Sequence, residues 1–398
     1  MAGAVRRARL RAAGLVAPLA AFVGLTFAVP VVLMLVRSVY DPTVADAMPE
    51  TLARLEEWDG RGVPSEPVYA AAAAELTRAD DERTLGRVAS RINRVQSGLR
   101  SVLVRTPRLL RDSPSGPRRD ALLDIDPDWG DPATWHAIRA AGDALTARHY
   151  LHAVDLDRAA DGTIGRRPEE ERVYLRLFVR TFGIGLTVTA LCLLLGYPIA
   201  YLIAHASPGN ARWLLALVLV PFWTSLLVRT TSWIVLLQNQ GVVNDILVAL
   251  GIVADGGRLA LVHNMTGTLV AMTHILLPFM VLPLYSVMRA IPSRQMAAAA
   301  SLGATFVQAF RRVYWPQTVS GVGAGSLLVF ILALGYYITP ALVGGQSGQL
   351  ISNFIAYHMQ TSLNWGLAGA LGGILLAAVA ALYLVYDRAV GIESIRLG

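Results

Sequence analysis

The sequence of 398 residues contains no lysine, and it contains a single cysteine, Cys192. Its 35 basic residues are therefore all arginine. A P-loop holds the phosphates of ATP with a lysine side chain, so ATP hydrolysis by that route is excluded for this chain. A single cysteine also excludes an internal disulfide bond and any metal site built from several cysteines.

Charged residues are scarce as well. They make up 16% of the chain, whereas hydrophobic residues make up 54%. A soluble domain carries about 25% charged residues, so this chain has too few charges to cover a globule of its size. The composition therefore favours a membrane protein over two or three soluble domains.

Six stretches with few or no charges are long enough to cross the bilayer core, which takes roughly 20 helical residues. They are residues 12–36, 181–204, 213–237, 265–288, 318–343 and 364–386. Arg229 interrupts the third stretch. The first follows a basic start, as in a signal peptide, but its apolar run is longer than a signal core. We therefore expect an uncleaved membrane anchor.

The placement of arginine predicts the orientation, because short cytoplasmic loops carry an excess of this residue. With the N-terminus inside, the inner segments hold Arg6, Arg7, Arg9, Arg11, Arg212, Arg289, Arg294, Arg311, Arg312, Arg388 and Arg396. Residues 38–172 hold 24 acidic residues and 19 arginines, a net charge of −5, while the rest of the chain carries +12. We expect both termini in the cytoplasm and residues 38–172, the insert, outside.

The insert is predicted to be mostly helical. Residues 68–111 have helical spacing and are expected to form two helices that break near residues 79–81. Asp131 before Pro132 is typical of a helix N-terminus and predicts a helix over 133–146. Residues 149–155, followed by Asp161 and Gly162, predict a short strand and a turn. A passive external cap or spacer and a docking surface for a partner both fit this segment.

Residues 289–317, between the fourth and fifth spans, predict two short helices. Ser293 can cap a first helix that ends at Gly303, where a residue without a Cβ atom permits a turn. Thr305 can cap a second helix that ends before Pro316. We call this segment the 289–317 loop.

The residues on these two helices fit a contact with another protein. Small side chains on the first helix permit close approach, and Phe306, Phe310 and Arg311 on the second are of the types that fill pockets at interfaces. An amphipathic helix lying at the membrane interface explains the same pattern.

The spacing in the 289–317 loop resembles the signature of permease subunits of binding-protein-dependent ABC importers. That signature is Glu-Ala-Ala, three residues, Gly, nine residues and Ile-x-Leu-Pro. The matching residues are Ala297, Ala298, Ala299, Gly303, Val313, Trp315 and Pro316. Ala297 replaces the glutamate, Val313 the isoleucine and Trp315 the leucine. The missing glutamate removes an anionic contact with the ATPase.

Further segments are similar to the spermidine/putrescine branch of that family. They are residues 195–201, 221–230, 233–238, 241–244, 274–279 and 335–345. The resemblance covers the first span and the chain from about residue 172 onward. It does not cover the insert.

The resemblance implies an all-α integral membrane protein of a bacterial inner membrane, with six transmembrane helices and the permease core of a type I ABC importer. Its parts would be residues 1–37 with the first span, the insert, and a core over 173–398 with the coupling element at residues 289–317. A second permease, a cytosolic ATPase pair that binds ATP and Mg, and a periplasmic binding protein are the implied partners. The chain itself would need no cofactor or metal.

In such an importer, closure of the ATPase pair moves the coupling element, because the nucleotide favours one of two states. We expect Gly303 to supply the bend, and Phe306, Phe310 and Arg311 to supply the contact. A polyamine is the expected cargo. Another amine, an amino-acid derivative, an opine or a metal chelate also fits, and both pairing with a different permease and homodimerisation stay open.

Six residues are candidates for the translocation path: Trp223, Arg229, Tyr336, Tyr337, Thr339 and Pro340. Arg229 is ionised within a span, which is typical of functional residues, although it could also pair with an acidic group, contact the partner permease or extend to the outer headgroups. The tyrosine faces could hold an ammonium group, although a packing role also fits at least one of them, and Pro340 frees a backbone carbonyl. Trp223 also fits an interfacial anchor.

Two other classes of protein are disfavoured. An ion-coupled secondary transporter would need ionisable residues inside its spans for coupling, and apart from Arg229 these spans lack them. A membrane-embedded enzyme would need clustered catalytic or metal-binding groups, and the sequence places no such cluster near a span.

Overall fold

The computed structural model describes residues 2–111, 116–158 and 163–390. The chain divides into two compact units. One comprises Met1–Arg167 with Asn364–Ala370, and the other comprises Pro168–Leu363 with Leu371–Gly398. The turn predicted at Asp161 and Gly162 lies outside the described residues.

The first unit begins with a long apolar helix. Helix α1 (Ala2–Val23), a π-helical turn (Gly24–Ala28) and α2 (Val29–Val39) follow one another without a break. Residues Ala13–Val39 of this helix are long and apolar enough to cross a membrane. This confirms the first predicted span, with its end three residues later than the sequence indicated.

The insert folds as a set of short helices and one hairpin. The helices are α3 (Thr43–Ala47), α4 (Pro49–Glu56), α5 (Glu66–Asp81), α6 (Leu85–Asn93), α7 (Leu99–Arg111), α8 (Arg118–Ile125), α9 (Pro132–Gly142) and α10 (Arg148–Ala153). Strands β1 (Leu156–Arg158) and β2 (Ile164–Arg166) pair antiparallel, with Asp157 opposite Gly165. The predicted mostly helical insert is confirmed.

These helices enclose a core of their own around three buried aromatic side chains. Tyr69, Trp129 and Trp135 are each fully buried, and the rings of Tyr69 and Trp135 meet edge to face at 4.6 Å between centroids. The Tyr69 hydroxyl and the Trp135 indole N–H both donate to the carbonyl of Trp129, over 2.8 and 3.1 Å. Because their polar atoms are paired, the aromatic rings are buried without an unsatisfied group.

Two predictions within the insert are wrong. Residues 68–111 contain parts of three helices and not two, because Asn93 ends α6: its side-chain oxygen accepts the N–H groups of Gly98 and Arg100, and Gly98 has φ +99°. Residues 149–155 are helical in α10, and the strand begins only at Leu156. The cap at Asp131 is confirmed, since its carboxylate accepts the N–H of Ala133.

The second unit contains the remaining helices. They are α11 (Tyr174–His205), α12 (Pro208–Leu219), α13 (Leu226–Leu237), α14 (Val242–Ala249), α15 (Met265–Ala290), α16 (Ser293–Ser301), α17 (Phe306–Ala309), α18 (Trp315–Gly335), α19 (Ile338–Val343), α20 (Ile351–Gln360) and α21 (Trp365–Val390), whose first six residues belong to the first unit.

Among the described residues, five helices are long and apolar enough to cross a membrane, and a bent pair raises the number to six. The bent pair, Pro208–Trp223 with Leu226–Ala249, turns by 98°. The third predicted span is therefore not one helix. A 3₁₀ turn at Val220–Trp223 ends α12, and Ser225 starts α13 by accepting the N–H of Val228.

The predicted fifth span, residues 318–343, is also broken. Helix α18 ends at Gly335, and α19 begins at Ile338. The apolar pattern continues across Tyr336 and Tyr337, so hydropathy alone gives no sign of the break.

Helices α11, α15 and α18 form the centre of the second unit. Met280 of α15 is fully buried between two glycines: a Cβ atom at Gly196 would lie 3.0 Å from the Met280 Cγ, and one at Gly325 would lie 2.8 Å from its sulfur. Small residues thus let three apolar helices approach closely, which is how helices associate when lipid surrounds them.

Candidate functional site

The 289–317 loop begins with α16, which ends in a turn at Gly303. Gly303 has φ +86°, and the N–H of Ala304 donates to the carbonyl of Ala299 over 3.1 Å. A residue without a Cβ atom adopts this left-handed conformation freely, so glycine fits the end of the helix. Ser293 is the first residue inside α16 and makes no capping hydrogen bond, so its predicted role as the cap is wrong.

The second half of the loop starts as predicted and ends differently. Thr305 accepts the N–H of Gln308, and the Gln308 side chain accepts the N–H of Thr305 in return, which is a capping box. The helix does not end before Pro316. A π-helical turn, Phe310–Tyr314, joins α17 to α18, and the N–H of Trp315 donates to the Phe310 carbonyl. Pro316 lies directly after this turn, and the irregular hydrogen bonding of the π-helical turn accommodates a residue that has no N–H group to donate.

The two phenylalanines of the loop differ in exposure. Phe306 is 66% exposed, whereas Phe310 is half-buried and packs against Tyr197, Tyr201 and Tyr314 at 6.3, 6.1 and 5.6 Å between ring centroids. Phe310 therefore belongs to the base of the loop and Phe306 to its surface. The other predicted contact residues divide likewise: Ala297, Ala298, Arg311 and Pro316 are exposed, and Ala299 and Val313 are half-buried.

A pocket of about 280 Å³ lies between the loop and the end of α11. Its lining includes Tyr201, His205, Met296, Phe306 and Tyr314. Tyr314 is 2% exposed, and its hydroxyl has no hydrogen-bond partner among the described residues. The lining of the pocket is thus largely apolar and aromatic.

The break between α18 and α19 is the second functional feature. Pro340 has no N–H group to pair with the Tyr336 carbonyl four residues before it. The Ser352 hydroxyl donates to that carbonyl over 2.6 Å, and the Asn353 amide donates to the Tyr337 carbonyl over 2.8 Å. The carbonyl that we expected Pro340 to free is therefore paired with α20.

A polar cluster surrounds this break. Arg229 on α13 acts electrostatically on His274 of α15 and on Tyr336, and the Trp233 indole donates to the His274 ring over 3.0 Å. The Arg229 Nε is buried and has no hydrogen-bond partner in the described parts of the chain. We call Arg229, Trp233, His274 and Tyr336 the Arg229 cluster.

The six candidates for the path are only partly brought together. Arg229 and Tyr336 share the cluster, and buried Thr339 lies beside it, with its hydroxyl 3.2 Å from that of Thr230. Pro340 is buried and Tyr337 is 41% exposed. Trp223 lies at the bend between α12 and α13 and is 85% exposed.

His274, Ser352 and Asn353 were not selected from the sequence. A histidine inside an apolar stretch was the one available signal for His274, since an ionisable side chain there is costly. No such signal marks Ser352 and Asn353 in the sequence, because their role depends on where α20 packs.

Comparison with known proteins finds one matching family and several similar permeases. The family described as "Binding-protein-dependent transport system inner membrane component" matches residues 193–392. The spermidine/putrescine transport system permease protein PotB of Haemophilus influenzae is 35% identical over 217 residues, which cover 54% of this chain and 75% of that protein. PotB of Escherichia coli K12 is 33% identical over 217 residues and is covered to 78%.

A solved structure, that of a bacterial ABC transporter involved in import of the acidic polysaccharide alginate, is similar at 18% identity with a TM-score of 0.43. The similar region covers 55% of this chain and 80% of the chain in that structure. The family match begins at residue 193 and leaves the insert outside.

Proposed function

Since this chain belongs to the family of binding-protein-dependent transport system inner membrane components and is a permease subunit of an ABC importer, we propose that it imports a polyamine such as putrescine or spermidine. One observation carries the substrate class: 35% identity to a spermidine/putrescine permease over three quarters of that protein's length. The Arg229 cluster lies within the matched region, and Tyr336 offers an aromatic face suited to an ammonium group.

The proposed partners follow from the family. A cytosolic ATPase pair binds ATP and Mg and docks on the 289–317 loop, a second permease completes the pathway, and a periplasmic binding protein delivers the cargo. The chain has no lysine for a P-loop, which supports hydrolysis by the partner alone. Both termini are proposed to be cytoplasmic, because the exposed Arg294, Arg311 and Arg312 then lie inside.

The geometry of the loop supports its role in coupling. The second helix of the loop follows the turn at Gly303 and is capped by Thr305. It continues through the π-helical turn into α18, which packs at the centre of the second unit. A displacement of the loop is therefore passed to α18 as a rigid helix. Since α18 ends at the break beside the Arg229 cluster, movement there would change access to the proposed path.

A second candidate cargo is an uncharged or anionic small solute, and Arg229 is the observation that favours it. The sequence has no aspartate or glutamate between residues 256 and 386, so this part of the core offers a cation and no carboxylate. Under the polyamine proposal, the carboxylates that bind the cargo come from the second permease and the binding protein.

The insert is proposed to add a docking surface for the binding protein. It has its own aromatic core and lies outside the family match, as expected of a module added to a permease. Deletion of residues 43–166 should raise the dissociation constant of the binding protein while the rest of the chain still enters the membrane. Unchanged affinity would favour a passive cap.

The test of the proposed function is uptake of labelled putrescine and spermidine by cells with and without this gene, with the ATPase intact. Loss of ATP-dependent uptake is the expected result. Unchanged polyamine uptake, in cells where the chain still associates with an ATPase, would reject the polyamine and favour the second candidate.

A further inference from the structure

The 289–317 loop carries a net positive charge. The family's glutamate is replaced by Ala297, and the loop contains four arginines and no acidic residue. Arg294, Arg311 and Arg312 are exposed, so their charges are accessible to a partner that docks on the loop. Like charges across an interface are unfavourable, whereas opposite charges accelerate and orient docking. The loop therefore fits a partner surface that is acidic.

The exposed surface of the loop is also apolar. Leu302, Phe306 and Val307 are 89%, 66% and 62% exposed. Phe306 and Tyr314 both line the 280 Å³ pocket, together with apolar residues such as Met296 and Ala309. Aromatic residues around a concave site are typical of the centre of a protein interface, where an inserted side chain displaces water.

We propose that the 289–317 loop binds an acidic face of its ATPase, and that this face inserts an apolar side chain into the 280 Å³ pocket. This rests on the proposed function, because it presumes that an ATPase docks there. It deepens that function by giving the partner's chemistry: carboxylates opposite the arginines and an apolar anchor between them. The contact that a glutamate supplies elsewhere in the family is replaced here by one of opposite charge.

Whether one substitution strengthens or weakens binding tests the charge of the ATPase face. The full chain is purified in lipid nanodiscs and titrated with the ATPase encoded with it, and the dissociation constant is measured for Ala297→Glu and for the uncharged control Ala297→Gln. Against an acidic face, A297E should weaken binding about threefold relative to A297Q, the size of one exposed charge pair. The difference should vanish at about 1 M salt, where charges are screened over ~3 Å.

The opposite result would overturn the proposal. If A297E binds more tightly than A297Q, the ATPase face carries the cation that matches the family's glutamate. If the two variants bind equally at low salt, the arginines face lipid headgroups and not the ATPase, as expected of an interfacial helix.

A second pair of variants tests the pocket. Ala300 lines it, whereas Asn210, in the first turn of α12, is exposed, lies outside the 289–317 loop and does not line the pocket. Ala300→Trp fills the pocket and should weaken ATPase binding about tenfold, the loss typical of a blocked interface anchor. Asn210→Trp, which also adds a large aromatic side chain, should leave binding within about twofold. Equal effects of the two variants would reject an inserted anchor.

These outcomes are distinct from failure of the part of the proposed function on which they rest, the docking of an ATPase on the loop. In that case the unaltered chain would bind no ATPase at any salt concentration. The proposal here fails only when the unaltered chain binds its ATPase and the variants respond with the wrong sign or equally.

Discussion

The hydroxyl of Ser352 donates a 2.6 Å hydrogen bond to the carbonyl oxygen of Tyr336, across the break between α18 and α19. Pro340 leaves this carbonyl without a partner in its own chain segment, and Ser352 on α20 supplies one. Ser352 is 8% exposed, and Tyr336 is half-buried. The break beside the Arg229 cluster is thus held by a side chain 16 residues further along the chain.

Removal of this hydroxyl should loosen the break. Ser352→Ala leaves the Tyr336 carbonyl unpaired, and we expect the detergent-solubilised protein to lose about 1 kcal/mol of stability. Ser232→Ala is the control, because the exposed Ser232 hydroxyl donates to Val228 in its own helix and joins no other element. Thermal unfolding measures both. A lower Tm for the control alone would contradict this account.

The turn at Gly303 should be needed for coupled transport. Gly303→Val places a β-branched residue at φ +86°, a conformation that costs an ordinary residue about 1–2 kcal/mol. No atom lies within 4 Å of the position a Cβ would take, so strain and not a clash is the cause.

We expect ATP-dependent uptake by Gly303→Val to fall about tenfold while the amount of protein in the membrane is unchanged. Gly303→Asn should retain more uptake, because asparagine tolerates this conformation. Normal coupled transport in the valine variant would show that the turn is not required.

The charge of Arg229 should affect the transport rate according to the sign of the cargo. It is buried at Nε beside His274 and Tyr336 with no acidic residue nearby in the sequence. For a polyamine, Arg229→Gln removes a repulsive cation, and transport at saturating binding protein should rise about threefold or more.

Arg229→Lys keeps the charge and should leave the polyamine rate near that of the unaltered chain. Measured in liposomes with both permeases and the ATPase, a loss of rate in the glutamine variant alone would indicate an anionic cargo. An equal loss in both variants would assign the guanidinium a structural role.

The insert should lose stability on acidification through His149. Burial, with the nearby charges of Arg91 and Arg94, lowers the pKa of His149 to about 3 from its usual value of 6.5. The unfolded insert therefore binds a proton that the folded insert does not. Its stability is complete above pH 6.5 and falls as the pH decreases toward 3, by up to about 1.4 kcal/mol per pH unit.

Hydrogen exchange of peptides that cover Arg148–Ala153 measures this effect, after correction for the intrinsic pH dependence of exchange. Protection should fall between pH 7 and pH 5 in the unaltered chain and fall less in His149→Gln. Burial also lowers the pKa of His152, so some pH dependence remains in the variant. Identical pH dependence in the two proteins would show that His149 is not its source.

Local sequence determined those features in which a few neighbouring residues suffice. The Asp131 cap, the Thr305 capping box and the turn at Gly303 each depend on hydrogen bonds or backbone freedom within a few positions, and all three occur as predicted. Where each helix begins and ends was harder to predict from the sequence. Pro316 predicted an end that a π-helical turn bridges, and residues 149–155 predicted a strand where the chain is helical.

The sequence by itself determined that this chain is an apolar, helical membrane permease, because length, hydropathy and the spacing of one loop carry that information locally. Only the tertiary structure decided where two of the spans break and which groups meet there. Ser352 and Asn353 reach Tyr336 and Tyr337, and Trp233 reaches His274, from positions distant in the chain. Such contacts depend on how helices pack, and an apolar pattern specifies that a face is buried without specifying its neighbour.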